Sequence, residues 1–230
     1  DDEIHSFGTF GRQVILDYYS VARMTRDYLA AYDALLNPPA KIRAAISGYY
    51  GYGNLGDDAI LLAISQQLSQ KELPVELTVL SRRPRETARE YGLSSVPRFS
   101  PLGVWKALKN SDVLISGGGS LLQDVTSTRS LLYYLTVIRM AKAMGKPVFL
   151  YANGIGPLNK ESNRRKVKQC LELCDAITLR DQESLTQLRK LGVQRDDIII
   201  TGDPVFALKS DGSTRQDLAS IGVPLGRGAI

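Results

Sequence analysis

From residue 41 onward the sequence predicts an α/β fold, a Rossmann-like doubly wound parallel sheet. Three observations predict it. Short continuous apolar runs recur along the chain, as in strands buried on both faces. Segments with helical spacing separate them, and strands alternating with helices require a parallel sheet covered on both sides. Glycine-rich and polar motifs lie where the apolar runs end, which is where ligands bind in such sheets.

The elements follow in order. Apolar groups at Val14, Ile15, Tyr18, Val21, Met24, Tyr28, Tyr32, Leu35 and Leu36 predict an N-terminal amphipathic helix. Asn37-Pro38-Pro39-Ala40 ends it and serves as a linker. Strands are expected at Ile42–Ser47, Val75–Leu80, Val113–Ser116, Pro147–Ala152, Ala176–Leu179 and Ile198–Thr201, with a weaker one near Ser95–Arg98. Helices are expected at Asp58–Gln70, Arg85–Tyr91, Leu102–Asn110, Ser130–Gly145, Glu161–Leu173 and Gln182–Leu191. Residues Lys209–Thr214 read as a solvated loop, and the last residues as the lead into a further strand. The expected organisation is a helix and proline-rich linker over 1–40, a Rossmann-like domain over 41–208, and over 209–230 a linker with the start of a truncated second domain.

Composition narrows the function. The chain has 230 residues, 43% hydrophobic and 23% charged, enough for one buried core. A net charge of +5 favours anionic partners, but the basic residues are dispersed and no nucleic-acid-binding motif accompanies them. Cys170 and Cys174 stand four apart on an expected helix, where side chains rarely reach disulfide geometry; they read as core residues in a reducing compartment. With His5 as the one histidine, an ordinary zinc site has no ligand set, and no metal is expected. The first residues are no signal peptide and no apolar run spans a bilayer, so a cytoplasmic protein is expected, with the inner membrane face as a place of work.

Five corners carry the candidate site. In the first, Gly51, Gly53 and Gly56 spell G-x-G-x-x-G after a strand, which suggests a dinucleotide. Asp57 and Asp58 stand where the helix would have to receive the pyrophosphate; they are expected to cap the helix and repel an anion, which favours a sugar or donor site with Asn54. Arg82 and Arg83 keep an NADP-dependent oxidoreductase open, because an arginine after the second strand can meet the extra phosphate. In the second corner Gly117, Gly118 and Gly119 let backbone N–H groups approach a ligand, with Ser120, Gln123 and Asp124 at the rim; a tight turn with local caps is the alternative. In the third, Asn153 and Gly154 face either a sugar hydroxyl or a plain exit turn. In the fourth, Arg180 can grip a carboxylate or phosphate, or pair with Asp181, whose own place before Ser184 suggests a helix cap. In the fifth, Asp203 before Pro204 either binds a sugar or forms a turn. No P-loop, no G-x-S-x-G elbow and no evident catalytic base occur.

The runs Ser47–Leu61, Ser116–Asp124, Gly154–Pro157, Leu179–Ser184 and Gly202–Pro204, taken in order, resemble the polysaccharide pyruvyltransferases of the CsaB type over roughly Lys41 to Leu208. The resemblance implies the N-terminal half of a GT-B-like fold of two Rossmann-like domains. It implies transfer of pyruvate from phosphoenolpyruvate to a sugar as a ketal, with no further cofactor. The implied acceptor is N-acetylmannosamine in a cell-wall polysaccharide precursor, lipid-linked or free, whose new carboxylate anchors S-layer proteins. Arg180 would meet the donor's carboxylate or phosphate, while Asn54, Asp57, Asp58, Ser120 and Gln123 belong to the family's corners. The family's histidine lies in the second half, and no residue here takes its place, so the chain alone is expected to be inactive. The segment Phe10–Leu36 resembles the terminal helix of a GT-B glycosyltransferase, which implies a fused transferase and leaves a nucleotide-sugar glycosyltransferase as an alternative.

Overall fold

The computed structural model describes residue 25, residues 41–70 and residues 75–208. The expected helix over 10–36, its linker and the expected segment after 208 lie outside the described residues.

Seven parallel strands form one sheet: β1 (Ile42–Ser47), β2 (Val75–Ser81), β3 (Ser94–Pro97), β4 (Val113–Leu122), β5 (Val148–Ile155), β6 (Ala176–Leu179) and β7 (Ile199–Ile200). Their order is β3-β2-β1-β4-β5-β6-β7, so the direction of winding reverses between β1 and β4. The connecting helices are α1 (Leu55–Gln70), α2 (Pro84–Tyr91), α3 (Pro101–Lys109), α4 (Thr128–Ala143), α5 (Glu161–Leu173) and α6 (Gln182–Lys190), with a 3₁₀ turn at Pro204–Ala207.

The apolar runs form strands because neighbouring side chains leave on opposite faces and both faces are covered. Ala44 and Ile46 pack with Val79 and Ile115 beneath Ile60, Leu61 and Ile64 of α1. Ala45, Leu80, Leu114 and Leu150 belong to a larger core with Leu108, Leu135, Leu171 and Leu188 of α3, α4, α5 and α6. Each fully buried leucine contributes about 2 kcal/mol. Cys170 and Cys174 are free thiols in that core. Burial pushes their pKa values up to about 11 and about 12.

Two expectations change. The strand expected to stop at Ser116 continues through the three glycines to Leu122. Gly117 pairs with Tyr151 and Gly119 with Asn153, because β5 is also longer than expected and supplies the partner edge. The first helix begins at Leu55, three residues early, and its end is held by Asn54, whose Oδ1 accepts from the Gly56 N–H at 3.1 Å. Asp57 and Asp58 therefore lie in the first turn rather than capping it. An asparagine just before a helix satisfies an amide that a carboxylate inside the turn cannot reach. Among the described residues no helix is long and apolar enough to cross a membrane.

Candidate functional site

The winding reversal opens a crevice at the carboxyl ends of β1 and β4, the general ligand position of such sheets. Its first wall is the Gly48–Asn54 corner. Tyr50 turns inward and donates from its hydroxyl to Gly117 O at 3.1 Å, tying the corner to β4. Gly51 has φ +76°, and a Cβ there would stand 2.2 Å from Ser81 Oγ, so only glycine can pass the end of β2. Tyr49 and Tyr52 stack on each other at 4.0 Å.

Two of the three glycines of β4, Gly118 and Gly119, face α1, while Gly117 faces Ile46 and Tyr50. A Cβ on Gly118 would stand 2.2 Å from Ile60 Cγ2, and one on Gly119 would stand 3.1 Å from Asp57 Oδ1. Gly118 therefore admits α1 against the sheet, and Gly119 leaves room for the Asp57 carboxylate.

Three contiguous hollows share Ser120. One of ≈ 440 Å³ is lined by Asn54, Asp57, Gly119, Arg180, Asp203 and Phe206 among others. A second, ≈ 340 Å³, runs from Asp57 and Ser120 to Gln123 and Tyr134. A third, ≈ 250 Å³, continues past Gly154, Arg180 and Asp181 toward Gln187. A wider hollow, ≈ 580 Å³, sits beside α3 at the opposite strand ends, away from these corners.

Arg180 is the centre of the crevice. It donates through Nη2 to Ser120 Oγ at 3.0 Å and through Nε to Asp181 Oδ2 at 3.1 Å, and its Nη1 lies 3.8 Å from Asp203 Oδ2. Gly154 makes this possible, because a Cβ there would stand 2.8 Å from Ser120 Oγ and 3.1 Å from Arg180 Nε. The carboxylates hold the guanidinium in place by two different means. Asp181 caps α6, accepting from the Ser184 N–H at 2.7 Å. Burial alone would raise its carboxyl, but the bonds from Ser184 and Arg180 hold it below the ordinary value. Asp203 caps the 3₁₀ turn, accepting from the Val205 N–H at 3.1 Å.

Asp57 behaves oppositely. Burial, with the neighbouring Asp58 charge, pushes its carboxyl up to about 6, against the pull of Arg98. Asp58 is also raised, by burial and by Glu90. A carboxyl of this kind exchanges its proton near neutral pH.

Several expected site residues turn away from the crevice. Asn153 is fully buried and donates from Nδ2 to Ser116 O and Tyr151 O, locking β4 to β5. Asp124 accepts from the backbone of Asn159 and Lys160 and from Asn163 Nδ2, so it anchors the start of α5 rather than standing at the rim. Burial would raise its carboxyl, and those bonds outweigh it, leaving it below the usual value. Gln123 lines the second hollow, but its amide is engaged with Val125, Thr126 and the Thr126 hydroxyl. In a short loop the nearest backbone amides capture a polar side chain before a ligand can. Arg82 lies over the Phe99 ring and Arg83 pairs with Glu86 at 3.2 Å.

Arg98 was not singled out by any motif. It is buried, 3% exposed, and its guanidinium lies 4.2 Å from the Tyr133 ring centroid and within 5.3 Å of those of Tyr52, Phe99 and Tyr134. Nη1 donates to Gly48 O at 3.0 Å, so a buried cation supports the first corner from below. Its sequence signal is nil, because the rings around it come from three separate segments. Among the described residues no group of three or more acidic, histidine or cysteine side chains forms a metal site.

A parallel sheet of seven strands, covered by helices and reversing its winding between β1 and β4, defines a Rossmann-like α/β domain. The sequence profile of the polysaccharide pyruvyl transferase family matches residues 54–225, and the chain belongs to that family. It is similar to the amylovoran biosynthesis protein AmsJ of Erwinia amylovora, 22% identical over 210 residues, which cover 74% of this chain and 50% of that protein. The chain thus spans about half the length of this curated relative. Among solved structures it is similar to UDP-GlcNAc 2-epimerase from Neisseria meningitidis bound to UDP-GlcNAc, with TM-score 0.46, 15% identity, and 80% of this chain and 51% of that one covered. A functionally uncharacterised Klebsiella pneumoniae protein gives TM-score 0.44 and 15% identity, covering 84% of this chain and 59% of that one.

Proposed function

We propose that the protein transfers pyruvate from phosphoenolpyruvate to a sugar of a cell-wall polysaccharide precursor, closing a ketal. In this reading it is a CsaB-type enzyme, the described domain is the N-terminal half of a GT-B-like pair, and the acceptor is an N-acetylmannosamine unit whose carboxylate serves S-layer anchoring. The work takes place on the cytoplasmic side, at the inner membrane face, and the second half supplies the family's histidine.

The observation that carries this reading is Arg180, a guanidinium fixed between Ser120, Asp181 and Asp203 in an open crevice. Such a fork suits a carboxylate or phosphate bidentately. In the reaction the donor's methylene carbon takes a proton and its enol carbon becomes electrophilic. One acceptor hydroxyl adds to that carbon and loses its proton, a second displaces phosphate and gives its proton to the departing phosphate, and the ketal closes. Asp57 stands beside the Arg180–Ser120 pair, on the same hollow, with a pKa suited to moving one of these protons.

The test is a titration of phosphoenolpyruvate by calorimetry into the chain and its Arg180→Ala variant, with phosphate release and ketal formation measured in a full-length protein. Loss of an ionic clamp should weaken donor binding by at least tenfold. Equal binding by both forms would remove Arg180 from the site. Binding of NADPH or of a UDP-sugar in place of phosphoenolpyruvate would replace this reading.

A further inference from the structure

Helix α3 is apolar on two faces, and among the described residues only one is covered. Val104, Ala107 and Leu108 enter the core. On the other side Leu102 is 62% exposed, Trp105 41%, and Phe99, just before the helix, 59%. Phe99, Leu102 and Trp105 are spaced three apart and form an apolar stripe along the surface.

The charged side chains on and against the stripe itself, Arg82, Lys106 and Lys109, are all basic, and the nearest acid across the neighbouring hollow is Glu76. Arg82 lies 5.6 Å from the Phe99 ring centroid and Lys109 Nζ 5.0 Å from the Trp105 ring centroid, and Lys106 is exposed beside Trp105. None of these three cations has an ion-pair partner among the described residues. No Asp or Glu occurs from Arg98 to Lys109, and the next acid, Asp112, is already paired with Arg43 at 2.7 Å. Across a symmetric contact with a second copy these cations would face each other and repel. Against an anionic bilayer they complement the surface, and a tryptophan flanked by lysines is the side-chain set that partitions into a headgroup region.

We propose that the Phe99–Leu102–Trp105 stripe, with Arg82, Lys106 and Lys109, is a docking surface for an anionic lipid bilayer. It rests on the reading that the protein works at the membrane face, and it names the surface that does so. Phe99 follows the carboxyl end of β3, so the stripe begins at the edge on which the crevice opens and runs along α3 toward the opposite strand ends, where Lys106 lines the wider hollow. The Phe99 ring meets Tyr133 edge-on at 5.8 Å, and the adjacent Tyr134 lines the crevice. The Phe99 end of the docked stripe is thus the end nearest the crevice.

The chain has a single tryptophan, Trp105, so its emission reports this surface alone. The experiment titrates the whole chain with phosphatidylglycerol–phosphatidylcholine vesicles, with pure phosphatidylcholine vesicles, and with soluble inorganic polyphosphate. The expected result is a shift of Trp105 emission to shorter wavelength, and quenching by brominated acyl chains, with the anionic vesicles only. Added salt should weaken binding. Lys109→Gln should weaken it about fivefold, and Leu102→Ser about tenfold, with the far-UV spectrum and phosphoenolpyruvate binding unchanged. Four results overturn the proposal. Vesicle binding that leaves Trp105 unchanged keeps the membrane reading and removes this surface. Absence of binding to any vesicle removes both. An equal shift with polyphosphate marks a soluble-anion site, and a shift that grows with protein concentration alone marks self-association.

Discussion

Replacing Asp57 with asparagine should make the protein more stable above neutral pH while impairing its chemistry. The reason is the carboxyl's place in the first turn of α1, where burial and Asp58 raise its pKa from 3.8 to about 6. A carboxyl whose folded pKa exceeds its unfolded one favours folding below the unfolded value and loses that contribution as pH rises through the folded value. Above pH 6 the folded protein thus holds a carboxylate that would be better solvated unfolded. The shift corresponds to about 3 kcal/mol for a fully enclosed group. The side chain is only half-buried, and solvent screening reduces this to about 1 kcal/mol. Asp57→Asn removes the penalty, so at pH 8 it should unfold at a urea concentration higher by the equivalent of about 1 kcal/mol, or about 2–4 °C higher in Tm. At pH 4 the gap should nearly close, because the wild-type carboxyl is then largely neutral in the folded state. Pyruvyl transfer by a full-length protein carrying the change should fall by at least a hundredfold, with phosphoenolpyruvate binding retained. A stability gain that is the same at pH 4 and pH 8, or wild-type turnover, would refute the reasoning.

Three further outcomes are expected. Gly118→Ala should cost about 3 kcal/mol in urea unfolding, part from the clash with Ile60 and part from its φ of +51°; in an Ile60→Ala background it should cost only the backbone part, about 1 kcal/mol, and an equal cost in both backgrounds would show that the contact with α1 is not what requires glycine. Asp124→Ala should lose about 2–3 kcal/mol by leaving the Asn159 and Lys160 amides and Asn163 unpaired, without changing donor affinity. Because the Asp124 pKa is depressed, that stabilisation is present at neutral pH and lost on acidification through the folded pKa, so the difference from wild type should shrink in acid. Cys170 and Cys174, buried with raised pKa values, should resist Ellman's reagent at pH 7.5 until denaturant is added, when both should titrate; reaction in the native state would show that α5 opens.

The sheet was legible because burial on both faces leaves a period-independent apolar run, and the helices because one wet face leaves a 3.6-residue period. The expected Ala176–Leu179 strand and Glu161–Leu173 helix agree residue for residue with the fold. Where the expectation failed, the deciding atoms came from elsewhere in the chain. Three consecutive glycines look like a turn when read alone, and they form a strand because β5 extends alongside them and α1 presses on them. Asp124 and Asn153 look like ligand groups at strand ends, but Asp124 is spent on the backbone amides of Asn159 and Lys160 and on the Asn163 side chain, and the Asn153 Nδ2 on the carbonyls of Ser116 and Tyr151.

The sequence by itself determined the alternation of strands and helices and the place of Arg180 at the carboxyl end of its strand. These depend on local pattern, since periodicity and glycine punctuation act within a few residues. Only the tertiary structure decided that Ser120 and Asp203 meet Arg180, that Asp57 is raised by burial, that Arg98 lies buried under the first corner among aromatic rings, and that among the described residues one face of α3 remains uncovered. Each of those is a property of distance and desolvation between segments remote in sequence, and neither quantity exists until the chain has folded.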